Sequence, residues 1–211
     1  RKGLKKAVGT CRRVLVGSSA SDSGDLGDQL ESLYGFARAT GEPGPISVLN
    51  HLDTRGLAVA TALRAWHARL RAGAPGETAI ERSLAAYTEL RHELGYTIVH
   101  RLAAIRMAEA RGLLRHAAIS NHHRSEGFQV FLQAVPSLAP DVAYELFLRH
   151  HFAELATELP SVFDPRAPAS LVFPRSGALK AVMSGTVGDQ NVTISGGQAR
   201  GGIGEVEMRV V

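Results

Sequence analysis

The sequence has little cysteine, few aromatic residues and no long hydrophobic run. Its one cysteine, Cys11, excludes an internal disulfide and is typical of a reducing compartment. No uninterrupted apolar stretch approaches the ~20 residues that span a bilayer. Arg12 and Arg13 interrupt the basic start before a signal-peptide core could form. We therefore expect a soluble, cytoplasmic protein without a membrane partner, and the initial arginine suggests a piece of a longer reading frame or a processed product.

Length and composition favour a helical globular protein. The 211 residues are 45% hydrophobic and only 6% aromatic, and alanine, leucine and arginine, which favour helices, are frequent. The formal net charge is +4. This excess is small for the size of the chain, so it permits attraction to nucleic acid without requiring it.

Helical periodicity predicts an all-α bundle of roughly seven helices in a domain over residues 1–174. The predicted helices cover residues 2–16, 26–34, 46–52, 54–71, 77–94, 96–114 and 141–159. Gly95 is expected to form a kink or joint between two of them. Residues 175–211 form a glycine-rich tail, in which only 177–183 suggest a helical turn. Residues 191–195 and 205–210 alternate like two strands, so the tail is expected to be a small hairpin or disordered.

The first predicted helix is strongly basic. Leu4, Val8, Cys11 and Leu15 form its apolar stripe. Six lysines and arginines and no acidic residue occupy the rest of its charged positions. The candidate DNA-binding residues among them are Lys5, Lys6, Arg12 and Arg13. Such a helix could contact phosphates without reading sequence, or it could simply be a solvated outer face.

The helix over 96–114 carries three charged residues beside an apolar line formed by Ile98, Leu102 and Ile105. Helical spacing brings Arg101, Arg106 and Glu109 close together. They are predicted to be either a structural ion-pair network between packed helices or part of an interface. Gly112 stands where a C′ glycine would end the helix.

Histidines provide the only candidate metal ligands. His116, His122 and His123 lie near Glu126, but they lack the spacing on one helix face that zinc motifs use. The sequence therefore predicts no metal site, although a zinc-dependent hydrolase is the alternative that these residues leave open. Of the adjacent His150 and His151, one is expected to face the core and the other water.

The glycine-rich run 196–204 does not match a nucleotide-binding loop. Such a loop follows a strand and precedes a helix, whose N-terminus receives the ligand. Here a strand-like run follows instead, and a Walker lysine is absent from the sequence. No cofactor is therefore predicted for this chain.

The run Arg-Leu-x-Ala-x-Arg-x-x-Glu-x-Arg-Gly-Leu at residues 101–113 resembles a segment of the helical N-terminal region of large adenine-specific DNA methyltransferases, the BREX phage-defence enzyme PglX and related restriction-modification enzymes. Three further stretches agree with that family in order and approximate spacing: residues 1–15, 29–35, and 158–165 followed by Phe173-Pro174. One departure is Val99-His100, where the family usually has an aromatic residue and an asparagine.

The resemblance implies a helical region that supports a methyltransferase domain, contacts DNA and works with other defence-system proteins. The resembled enzymes use S-adenosylmethionine and an Asn-Pro-Pro-aromatic motif that holds the amine of a flipped adenine. Neither that motif nor the cofactor loop occurs in these residues. We therefore expect a chain that is inactive alone, and the alternative is a helical protein–protein module without DNA contact.

Overall fold

A computed structural model describes the backbone of residues 2–19 and 22–184 and the side chains of residues 8–19 and 22–183. Within these residues the secondary structure is helical, and no strand is formed beyond an isolated bridge between Phe36 and Pro43. The eight helices of this part of the chain are α1 Lys2–Val16, α2 Gly24–Ser32, α3 Thr54–Gly73, α4 Ala79–Ala110, α5 Glu126–Ala134, α6 Pro140–Leu155, α7 Pro160–Phe163 and α8 Ser176–Ser184. Short 3-10 turns lie at Ile46–Val48, His122–Arg124 and Pro168–Ser170. The predicted all-α class is confirmed, while the predicted hairpin lies outside the described residues.

The chain forms two compact units. The first unit contains the described parts of Arg1–Val14, Ile98–Pro165 and Arg175–Val211, and the second contains those of Leu15–Thr97 and Arg166–Pro174. The predicted domain boundary at residue 174 is the point at which the chain returns from the second unit to the first. No described helix is both long and apolar enough to cross a membrane.

The core of the first unit is built around α6, which packs against α5, α7 and α8. Tyr144, Phe147 and Phe152 on α6 are buried, and the second half of α4 contributes the predicted line of Ile98, Leu102 and Ile105. Phe128 of α5 lies edge-on to Tyr144, with ring centroids 4.9 Å apart. Edge-to-face rings stabilise a core beyond the area they bury, so this aromatic seam joins the α5–α6 pair.

The second unit packs α2, α3 and the first half of α4 around buried leucines and Tyr87. Asp53 caps α3, because its carboxylate accepts a hydrogen bond of 2.7 Å from the Gly56 amide. Arg64 of α3 donates to the carbonyls of Tyr34 and Gly44 at 3.0 and 2.9 Å. One side chain thus satisfies two backbone carbonyls of the loop between α2 and α3.

A polar network in the same unit was not predicted. Arg38 contacts both carboxylate oxygens of Glu31 at 2.9 Å, and the Tyr87 hydroxyl donates to Glu31 at 2.8 Å. Burial, followed by this hydrogen bond, raises the pKa of Tyr87. The network connects α2, the following loop and α4 through one half-buried carboxylate.

The joint expected at Gly95 as one of two possibilities is absent, because α4 runs as one helix of 32 residues from Ala79 to Ala110. Gly95 is buried within it, and a Cβ atom built there would lie only 2.4 Å from Cγ2 of Val16. The glycine therefore provides the close approach of α1 and α4 in the second unit. Tertiary packing offsets the ~1 kcal/mol that glycine costs in a helix.

Other differences are local. The predicted helix over 46–52 is only the 3-10 turn Ile46–Val48, and α2 begins at Gly24, two residues earlier than expected. Val8, assigned to the apolar stripe of α1, is 47% exposed, whereas Cys11 and Leu15 are buried as predicted. Helix α5 was not predicted. The helical turn expected at 177–183 is confirmed as α8.

Replacing Gly95 by alanine should destabilise the protein by about 1–2 kcal/mol, although alanine is the better helix former. The new methyl group would collide with buried, β-branched Val16, whose side chain has little freedom to move. Urea denaturation followed by circular dichroism would measure the change.

Gly9→Ala is the matched control, since a Cβ at Gly9 of α1 meets nothing within 4 Å and should raise stability slightly. In a Val16→Ala background, Gly95→Ala should cease to be harmful. A destabilisation that is unchanged in that background would contradict the collision.

Candidate nucleic-acid interface and its supporting network

Helix α1 is the candidate nucleic-acid interface of the first unit. Arg12 and Arg13 are exposed, and the helix sequence contains no acidic residue. The side chains of Lys5 and Lys6 lie outside the described residues, and their backbone belongs to the same helix. Exposed cations without neighbouring acids on their own helix suit contacts to phosphate oxygens, which require charge and reach but no fixed donor pattern.

Cys11 holds the other side of α1 against α8. Its Sγ atom lies 3.7 Å from the carbonyl oxygen of Val182, to which it donates, and its side chain is buried. Burial raises the pKa of the thiol to about 11. A thiol with this pKa is almost entirely protonated at neutral pH and is a poor nucleophile, so Cys11 serves packing rather than chemistry.

Helix α8 also lacks acidic residues and carries the exposed Lys180. The two helices joined through Cys11 therefore have the same sign of charge. Charges of one sign on neighbouring helices add to each other's field, and salt screens such surface charges over about 10 Å at moderate ionic strength.

Arg101 does not lie on a surface. It is 4% exposed, and its Nε and Nη2 atoms donate to the carbonyls of Val162 and Asp164 at 2.9 and 3.1 Å. Its guanidinium lies 5.4 Å from the centre of the Phe152 ring. Burial lowers the pKa of Arg101, and Asp164 acts against this shift. Arg101 thus ties α4 to α7 and the residue that follows it.

Arg106 and Glu109 form a separate network with the turn that precedes α5. One oxygen of Glu109 accepts hydrogen bonds from the amides of Ala118 and Ile119 at 2.6 Å, and the other accepts from Arg106 at 2.9 Å and from the Ser120 hydroxyl. Arg106 also contacts the Ser120 hydroxyl. The Glu109 side chain is 4% exposed. Its contacts act as an internal cap for the turn.

The electrostatics of Glu109 follow from these contacts. Burial alone would raise the pKa of the carboxyl, but hydrogen bonds from Ser120, Ile119 and Arg106 outweigh it and lower the pKa below the ordinary value of 4.5. The predicted trio is therefore divided between two places, with Arg106 and Glu109 together and Arg101 bound to another segment. Arg106 and Glu109 form the expected ion pair, whereas Arg101 binds backbone carbonyls.

Gly112 ends α4 as predicted. Its φ is +65°. The Gly112 amide donates to the backbone carbonyl of Glu109, and the Leu113 amide donates to the backbone carbonyl of Ala108 at 2.9 Å. This pair of hydrogen bonds is the Schellman motif, which satisfies the last helical carbonyls. The chain consequently reverses direction just before the turn that Glu109 holds.

The histidines are dispersed among different partners. His116 lies 2.9 Å from Glu126 and His123 lies 3.3 Å from Asp141, while the His122 ring stacks near His123. No group of three or more His, Cys, Asp or Glu side chains suited to a metal ion occurs in the part of the chain that the structure describes. His150 and His151 have side-chain exposures of 62% and 15%, which confirms that one faces water and the other the core.

Comparisons of the chain with protein families, with curated proteins and with solved structures found no match.

Replacing Glu109 by glutamine should cost about 2–4 kcal/mol of stability at pH 7, since the buried amides and Arg106 lose their anionic acceptor. The folded pKa of Glu109 is lowered, so its contribution is present above pH 4.5 and is lost as the pH falls through the folded value. The difference in the free energy of unfolding between the wild type and Glu109→Gln, measured by urea denaturation, should therefore become smaller as the pH falls.

Glu158→Gln is the control, because Glu158 is an exposed carboxylate of the same unit, and it should change stability by less than about 0.5 kcal/mol. A Glu109→Gln difference of constant size from pH 7 to pH 3 would contradict the assigned role.

Proposed function

We propose that this chain is a non-catalytic helical region of an adenine-specific DNA methyltransferase of the phage-defence or restriction-modification type. In this proposal it supports the catalytic domain and contacts the DNA backbone through α1. The observation that carries the DNA contact is the exposure of Arg12 and Arg13 on a helix that contains no acidic residue. Phosphates are the ligands that such a helix recognises by charge alone.

The supporting role is favoured by contacts among the segments that carry the resemblance. Arg101, at the start of one segment, donates to carbonyls of Val162 and Asp164 in another. In the second unit, Gln29 donates to the Phe173 carbonyl at 3.0 Å. Residues that lie far apart in sequence thus act together within each unit, as the parts of one folded region do.

Two features that the resembled family uses for methyl transfer are a cofactor loop and an Asn-Pro-Pro motif. The resembled family holds S-adenosylmethionine on a glycine-rich loop between a strand and a helix, and residues 2–19 and 22–184 contain no strand. The printed sequence also lacks an Asn-Pro-Pro motif. These two observations support the non-catalytic role that we propose.

The salt dependence of DNA binding tests the role of α1. Lys5→Gln, Lys6→Gln, Arg12→Gln and Arg13→Gln together should weaken binding to duplex DNA. They should also reduce the slope of log K against log salt by up to about 3.5, because each phosphate contact contributes about 0.9 to the slope. Fluorescence anisotropy with duplexes of unrelated sequence at several salt concentrations measures both quantities.

The control removes four exposed arginines elsewhere, Arg55, Arg69, Arg111 and Arg115, by the same change to glutamine. It lowers the net charge equally and should reduce the slope much less. Equal slopes for the two variants would mean that net charge rather than α1 attracts DNA. A wild-type chain that does not bind DNA would remove the proposed contact altogether.

A methyl-transfer assay tests the non-catalytic part. The purified chain, incubated with labelled S-adenosylmethionine and unmethylated duplex DNA, should incorporate no label above a boiled control. A known adenine methyltransferase serves as the positive control. Incorporation that follows the chain through purification would contradict the proposal.

The protein–protein alternative has an observation of its own. Val142 and Leu146, one helical turn apart on α6, are 52% and 44% exposed. Exposed apolar side chains at that spacing suit a helical partner. A chain that binds no DNA, and that still captures a purified partner from the same defence system after nuclease treatment, would favour this alternative.

A further inference from the structure

The turn formed by residues 121–124, here called the histidine turn, has an unusual backbone. Asn121 and His122 have φ values of 66° and 51°, and they are the only non-glycine residues with positive φ in the described part of the chain. Asparagine adopts this left-handed region readily, whereas it costs most other residues about 1 kcal/mol or more. Contacts of the histidine turn must therefore hold His122 in place.

Those contacts are aromatic. The His122 ring centre lies 4.0 Å from that of His123 and 4.3 Å from that of Tyr144. His123 in turn lies 5.0 Å from Tyr144 and 5.5 Å from Phe128. The Nε2 atom of His122 is buried and has no hydrogen-bond partner in the described residues. A neutral ring fits this position, whereas a charged ring would lack an acceptor for its second N–H.

The charges around His122 come from three elements. The titratable and charged groups of its surroundings are His123 and Arg124 on the turn, Asp141 and Tyr144 on α6, and Lys180 on α8. His123 and Lys180 disfavour a proton on His122, and Asp141 favours it. Asp141 also lies 3.3 Å from His123, so its charge is shared between the two rings.

The other histidines of the α5–α6 region differ from His122 in the distance to a carboxylate, although Nδ1 of His116 and Nε2 of His123 are likewise buried without a well-formed hydrogen bond in the described part of the chain. His116, His123, His150 and His151 each lie within 3.4 Å of a carboxylate oxygen of Glu126, Asp141 or Glu154. A proton on any of them creates an ion pair. A proton on His122 creates a half-buried cation whose Nε2 has no acceptor among the described residues, which is the costly case.

We propose that the histidine turn is a pH-sensitive switch of the first unit, which is closed on Tyr144 while His122 is neutral and opens when His122 takes up a proton. Opening exposes the end of the aromatic seam between α5 and α6. It also reaches further, because the Tyr144 hydroxyl donates to the Ala118 carbonyl at 3.2 Å and contacts Met183 of α8. This inference is independent of DNA binding.

The direction and size of the response follow from the two states. Burial, and then His123 and Lys180, lower the pKa of His122 from 6.5 to about 4 in the closed state. In the open state the pKa of His122 returns to its ordinary value of 6.5. Acidification between pH 6.5 and pH 4 therefore favours the open state. The open fraction should be about 20-fold larger at pH 5 than at pH 7 and should approach its limit below pH 4.

Hydrogen exchange of backbone amides, corrected for the intrinsic pH dependence of exchange, measures this opening in the full chain. Protection of residues 118–125 should fall by about 20-fold between pH 7 and pH 5, while amides in the middle of α6 and in the second unit keep their protection. The imidazole signals of His122 should report a midpoint below the ordinary histidine pKa of 6.5.

His122→Asn is the decisive variant, because asparagine accepts the left-handed backbone and does not titrate. Protection of 118–125 in this variant should be nearly independent of pH between 7 and 5. His150→Asn, which removes a histidine with 62% side-chain exposure, should respond as the wild type does. Lys180→Gln keeps His122 and removes a charge that lowers the pKa of His122 in the closed state. The loss of protection at pH 5 should therefore be smaller in this variant than in the wild type.

Two results would overturn the switch. One is an equal acid response in the wild type and in His122→Asn. The other is simultaneous loss of protection in 118–125 and in the core of α6, which would identify global acid unfolding instead of a local opening.

Discussion

The first unit depends on satisfying two charges that α4 buries. Arg101 and Glu109 have almost no solvent contact, and a buried charge is tolerated only when it is paired and fully hydrogen-bonded. Both side chains find their partners largely in backbone groups of later segments. Arg101 binds carbonyls at Val162 and Asp164, and Glu109 binds amides at 118–119. The helix therefore fixes two segments of the chain, the turn before α5 and the end of α7.

The strained histidine turn follows from the same constraint. Glu109 holds the chain at 118–120, and the Schellman motif at Gly112 has just reversed its direction. Few residues remain before α5, where the Gly127 amide donates to the Ala117 carbonyl at 2.9 Å. The intervening segment must turn sharply, and it does so through left-handed Asn121 and His122. The aromatic contacts of His122 with Tyr144 offset the backbone strain only while the imidazole is uncharged.

The sequence predicts what local periodicity and caps determine. The all-α class, the buried line of Ile98, Leu102 and Ile105, and the helix end at Gly112 were all derived correctly. Gly95 was misread because a glycine signals a break by its propensity, whereas here it makes room for Val16. Helix α5 was missed, although α2 and α8 are equally short and were predicted. Its Gly127 packs closely against the Ala117 carbonyl, a contact that no local pattern reveals. The partners of Arg101 are backbone carbonyls. Every residue has one, so the sequence does not indicate which of them Arg101 binds.

This division of charges bears on function. Arg101 and Arg106 lie on the helix with the strongest family-like pattern, yet both are engaged inside the first unit and have little freedom to meet a ligand. An arginine already bound to carbonyls or a carboxylate would lose those contacts on turning to a phosphate, and the buried groups left behind would oppose the exchange. Arg12 and Arg13 are exposed and incur a smaller cost of this kind. Physical availability, rather than resemblance of motif, thus directs the search for a DNA contact to α1.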